Sequence, residues 1–137
     1  MIYGIGIDSV EIKRLAHWRY YKKSTLLKIF LPAELDYCLS NPLKSAERFA
    51  VRFAAKEAFL KAFYFICDVQ KPSLITICKN IEITKNLEMP GLIIFGTLQQ
   101  YTTIALSLVK AHISLTHTKN IATALVILES QGPRSSF

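Results

Sequence analysis

The sequence predicts an α+β domain, a largely antiparallel sheet packed around one long central helix, and three observations lead there. A run from about Ser45 or Ala46 to Phe63 contains no Gly or Pro and is rich in Ala, Phe, Arg, Lys and Glu, the composition of a stable helix. The chain opens on an apolar segment that reads as a buried strand, and its second half breaks into short β-branched runs separated by Pro, Gly and polar residues. A chain of 137 residues fits a single domain, expected over 1–128, with residues 129–137 expected to form a tail without fixed structure.

Taken in order, Ile2 to Asp8 places Ile at 2, 5 and 7 and Gly at 4 and 6, a strand whose glycines let other backbone approach closely. From Val10, apolar Val10, Leu15 and Trp18 alternate with Lys13, Arg14, Arg19, Lys22 and Lys23, which predicts a basic, partly amphipathic helix. Pro32 suits the first turn of a short helix, PAELDYCL. On the long helix, Phe49, Phe53, Leu60 and Phe63 share a core-facing stripe, while Ala50, Ala54, Glu57 and Lys61 form a neighbouring one along which a ligand has room to approach. The runs LITI, IEIT and LIIF read as strands, Leu98 to Leu108 as a helix, and Ala111–Thr116 and Ile121–Leu128 as two closing strands.

The hydrophobic share of 51% and charged share of 20% exclude a disordered chain. The net charge of +7 favours acidic partners, and leaves open a small basic nucleic-acid-binding module as the rival to an enzyme. Cys38, Cys67 and Cys78 are odd in number and unrelated in spacing, so they read as buried hydrophobes in a reducing compartment. The N-terminus lacks the basic opening of an export signal, and a cytoplasmic protein is expected. No charge occurs between Met89 and Val109, yet Pro90, Gly91 and Gly96 argue against a membrane span.

Asp8 at a strand end and Glu57 on a helix are the kind of separated carboxylates that suit Mg²⁺, although each taken alone is equally a capping or solvated acid. Lys61, one turn after Glu57, is either its i, i+4 partner or a phosphate ligand. His117 shares a strand face with Ile113 and Leu115, opposite Ser114 and Thr116. Glu34 and Glu47 read as ordinary surface acids. Spacing alone leaves the function open.

Three blocks, IYGIGIDSVEIKRL, RFAAKEAFLKAF and HISLTHTKNIATALVIL, in this order and at these separations, resemble the holo-acyl-carrier-protein synthases of the 4'-phosphopantetheinyl transferase family. The resemblance implies Mg²⁺-dependent transfer of the phosphopantetheine arm of coenzyme A to a serine of apo-acyl-carrier protein, with release of 3',5'-ADP, by a homotrimer with sites between subunits. It assigns Asp8 and Glu57 to the metal, Lys61 to phosphate, and Arg52, His117 and Thr118 to the nucleotide phosphates. Glu57 and Lys61 become the catalytic candidates, and Arg14 the grip on the acidic carrier protein. The proton acceptor for the serine, Glu57 or a metal-activated water, stays open. Acyl carrier protein and coenzyme A are the implied partners, with nucleic acid and membrane excluded. Two departures bear on coenzyme A affinity: FYFICDVQKPS replaces the family's Gly-Thr-Gly loop after the long helix, and NLEMP keeps only Asn86 and Pro90 of an Asn-x-x-Gly-Lys-Pro signature.

Overall fold

The computed structural model describes residues 1–85 and 89–132. Strand β1 (Ile2–Glu11) leads through 3-10 turns at Ile12–Leu15 and Trp18–Tyr20 into helices α1 (Lys23–Leu26), α2 (Pro32–Leu39) and, after a 3-10 turn at Pro42–Lys44, α3 (Ser45–Tyr64). Helix α4 (Leu74–Lys79), a β2–β3 hairpin (Ile81–Lys85 and Pro90–Ile94), two further 3-10 segments, and strands β4 (Val109–His117) and β5 (Ile121–Ser130) complete the chain. Both sheets are antiparallel, one three-stranded in the order β1-β5-β4 and the other the β2–β3 hairpin alone.

Helix α3 lies across the three-stranded sheet, and the glycines of β1 explain how closely. A Cβ on Gly6 would stand 1.9 Å from the Ala58 carbonyl oxygen, and one on Gly4 2.2 Å from that of Ala62, so strand and helix backbones touch. Alternation then sorts the sheet: Ala122, Ala124, Val126 and Leu128 of β5 are fully buried, whereas Ile5 and Ile7 of β1 point outward and are exposed. Phe49 and Phe63 sit in the core as the helical spacing predicts, and Phe53 and Leu60 pack against its margin. Ala50 and Ala54 are also wholly buried, so the alanine half of their stripe is covered by the protein itself, and a ligand can approach it at Glu57 and Lys61 instead.

Several expectations need correction. The basic segment is no helix: β1 stays paired with β5 as far as Glu11, and the chain then makes two short 3-10 turns. LITI is helical because Ser73 caps it, its hydroxyl accepting from Thr76 N at 3.2 Å. Between Leu98 and Leu108 the chain forms 3-10 turns at Gly96–Tyr101 and Leu106–Leu108, and the Gln99 side chain satisfies Thr102 O, Ile104 O and Leu106 N between them. Strand β5 runs through Ser130, two residues into the expected tail; residues 133–137 of that tail and Asn86 lie outside the described residues. No helix among the described residues is long and apolar enough to cross a membrane. The cysteines are free, and burial pushes the Cys38 thiol up to about 12 and those of Cys67 and Cys78 to about 11.

Candidate active site

Asp8 faces inward from β1, in the same row as Gly4, Gly6 and Val10, and so points at α3. There it meets Lys61, whose Nζ donates to Asp8 Oδ1 at 3.0 Å and to the Ile7 carbonyl at 2.9 Å. Asp8 Oδ2 is buried without a partner among the described residues. Glu57, one turn before Lys61, stands beside it. As two carboxylates neither acid has a proton to offer the other; once Glu57 is protonated it donates to Asp8. Burial, then that hydrogen bond and the Asp8 charge, push Glu57 up to about 7, against the pull of Lys61 and Arg14. Two carboxylates that otherwise need a shared proton, one with an orphaned buried oxygen, are chemically fit for a hard divalent cation. Among the described residues no group of three or more His, Cys, Asp or Glu side chains stands ready to hold a metal.

A second group lies on another side of α3. A cavity of about 320 Å³ is lined by Arg48 and Arg52 of α3, Tyr37 of α2, Lys85 of β2 and His117 of β4. The cations crowd one ring: Arg48 lies 4.0 Å from the Tyr37 centroid, Arg52 4.2 Å and Lys85 4.5 Å. Arg52 is 7% exposed, and its Nε has no partner among the described residues. His117 Nε2 meets Glu47 Oε1 at 3.1 Å. Three cations gathered on one ring are suited to an anion such as phosphate. Thr118 lies in the β4–β5 turn, where its Oγ1 accepts from Asn120 N and Ile121 N. Arg14 is exposed in the 3-10 turn after β1, near enough for its charge to act on Glu57.

The structure thus brings Asp8, Glu57, Lys61 and Arg14 together, and Arg52 with His117, but keeps the two groups apart. Sequence reasoning missed Tyr37, Arg48 and Lys85; the i, i+4 spacing of Arg48 and Arg52 was the available signal. It also misjudged two acids. Glu34 is 2% exposed and ion-paired with Lys56, and Glu47 is engaged by His117, so neither is a free surface acid.

Residues 4–126 match the family model described as the 4'-phosphopantetheinyl transferase superfamily. The chain belongs to this superfamily. That membership decides for a transferase over the nucleic-acid-binding module. Relatives of the transferase include the holo-[acyl-carrier-protein] synthases of Bacillus subtilis, 40% identical over 131 residues (94% of this chain, 97% of the relative), and Geotalea daltonii, 37% identical over 131 residues (94% and 99%). Among solved structures, the holo-[acyl-carrier-protein] synthase of Neisseria meningitidis superposes with a TM-score of 0.72 at 27% identity, covering 95% of this chain and all of that one. The Bacillus anthracis enzyme, in complex with CoA (3',5'-ADP), superposes with a TM-score of 0.70 at 29% identity, covering 95% and 98%. The α+β arrangement of antiparallel sheets around a long helix is therefore that of the holo-acyl-carrier-protein synthases.

Proposed function

We propose that the transferase moves the 4'-phosphopantetheine group of coenzyme A onto a serine of apo-acyl-carrier protein and releases 3',5'-ADP, with Mg²⁺ as cofactor, as a cytoplasmic homotrimer. The observation that carries this reading is the Asp8–Glu57 pair with Lys61 beside it, on a chain of this superfamily.

Asp8 and Glu57 would hold the Mg²⁺, which when bound neutralises charge on the pyrophosphate oxygens, the main requirement of phosphoryl transfer. Lys61 uses two of its three ammonium protons on Ile7 O and Asp8 Oδ1, and the third is free for a phosphate oxygen. As the serine oxygen bonds to phosphorus and the bond to the ADP oxygen breaks, the serine proton has two acceptors in this geometry, Glu57 or a water it orients. Arg48, Arg52 and Lys85 would seat the nucleotide phosphates, with His117 at the rim of the cavity. Thr118, next to His117 but outside the cavity lining, keeps its hydroxyl proton for a phosphate, because its oxygen serves the turn as an acceptor. Arg14, beside the carboxylates, would meet the acidic carrier where its serine must arrive.

The separation of the two groups supports an assembly with its sites between subunits, as in the proposed trimer. Arg52 and Glu57 are five residues apart on α3, which turns them about 140° from each other. A cavity on one copy placed against the carboxylates of the next would bring the two halves together, and the exposed Ile5 and Ile7 offer an apolar face for that contact. The test is intact mass spectrometry of an apo-acyl-carrier protein incubated with the transferase, coenzyme A and Mg²⁺. A gain of one phosphopantetheine is expected, and no gain on a competent carrier would overturn the proposal.

A further inference from the structure

Lys56, the residue before Glu57, takes a full charge into the core and is 0% exposed. Its ammonium has three protons, and three acceptors take them: Glu34 Oε1 at 2.6 Å, Cys78 O at 2.7 Å and Ile29 O at 2.9 Å. Glu34 is engaged as fully. Its Oε1 also accepts from Leu31 N at 2.8 Å, at the start of α2, and its Oε2 accepts from Ile83 N at 2.9 Å, in the middle of β2. The pair therefore joins α3, α2, the end of α4 and β2 at one point.

A buried ion pair is poor evidence of stabilisation, since well-packed apolar residues of similar volume are often as stable. What this one supplies is position. Among the described residues the β2–β3 hairpin pairs with no other strand, and a lone two-stranded hairpin is marginal by itself. Thr84 and Lys85, directly after Ile83, form one wall of the cation-lined cavity. Arg48 and Arg52, two turns and one turn before Lys56 on α3, form the other. The ion pair, with the Glu34–Ile83 hydrogen bond, links one wall to the other.

We propose that Glu34 and Lys56 are positioning residues for the nucleotide cavity. They hold the strand bearing Lys85 at a fixed distance from the helix face bearing Arg48 and Arg52, and so set the affinity for the phosphate-bearing end of coenzyme A. The inference rests on the transfer reading above.

The test is the double variant Glu34→Gln/Lys56→Met, which removes both charges together and roughly keeps volume, with Glu34→Gln/Lys56→Gln as a second variant that also leaves no buried charge unpaired. The folded variants should show KM for coenzyme A raised about tenfold, the scale of a small misplacement of binding groups. kcat and KM for the carrier protein should stay near wild type, and Kd for 3',5'-ADP, by calorimetry, should rise by the same factor as KM for coenzyme A. A merely structural pair would leave a folded variant unchanged in all four, which would overturn the proposal. So would a parallel loss in kcat and both KM values, the mark of general loosening, or the failure of both variants to fold. Wild-type protein that folds but neither transfers nor binds coenzyme A would defeat the transfer reading itself, and this inference with it.

Discussion

Because Gly4 and Gly6 carry no side chain, β1 lies against the backbone of α3, and Asp8 arrives within reach of Lys61 and Glu57. A methyl group at Gly6 has nowhere to go but into the Ala58 carbonyl. Gly6→Ala should destabilise the protein by about 1–3 kcal/mol, the usual cost of overpacking, and should impair transfer beyond what unfolding explains by moving Asp8; denaturant melts alongside activity check it. Glu57 makes a prediction of opposite chemical sense. Its folded-state affinity for protons, at about 7, lies above the ordinary 4.5, so the folded form holds more protons than the unfolded between those values. Stability contributed by this group is therefore lost as pH rises from about 4.5 to about 7. With metal chelated, melting temperatures over that range should fall with pH, and Glu57→Gln should flatten the slope. The grouping of Asp8, Glu57 and Lys61 was legible through the family resemblance, not through the strand end expected at Asp8, which lies inside β1 because pairing with β5 continues to Glu11. Glu34 was not, since nothing local distinguishes an acid on the surface from one that meets a buried lysine from a distant helix.

The elements that sequence reasoning placed well are those whose signal is internal to them. PAELDYCL is α2, and the long helix runs one residue beyond its expected end, because composition and proline placement decide both. The basic segment after β1 failed because pairing with β5 is a tertiary fact: the Ser9–Thr123 hydroxyl bond at 2.9 Å and the ladder to Ile121 keep the chain extended where periodicity suggested helix. LITI failed in the other direction, a cap overriding β-branched composition. The loss of helix leaves Arg14 exposed at the edge of the carboxylate pair. Arg14→Glu should weaken use of the carrier protein while leaving coenzyme A binding nearly intact, and wild-type kcat/KM toward the carrier should fall with added salt. Steady-state kinetics with each substrate varied in turn would check it; unchanged kinetics toward the carrier would remove this segment from docking.

At the scale of the whole molecule, the exposed apolar sheet face bears on the proposed assembly. The outward row of β1 and β5 sets Ile5 against Ile127 and Ile7 against Leu125, an apolar patch on the sheet face away from α3. Light scattering should report a mass of three copies, and an active monomer would contradict a site shared between subunits. The claim on which the rest depends is that the two carboxylates support the chemistry, and transfer rates of Asp8→Asn and Glu57→Gln at limiting Mg²⁺ test it most directly. Asp36, exposed on α2, supplies the control as Asp36→Asn. Mass-spectrometric time courses of carrier modification should show both site variants folded, slower by on the order of a hundredfold, comparable to losing a strong preorganised electrostatic contact, and needing more Mg²⁺, with the control at wild-type rate. Wild-type rates from both Asp8→Asn and Glu57→Gln at limiting Mg²⁺ would contradict the account.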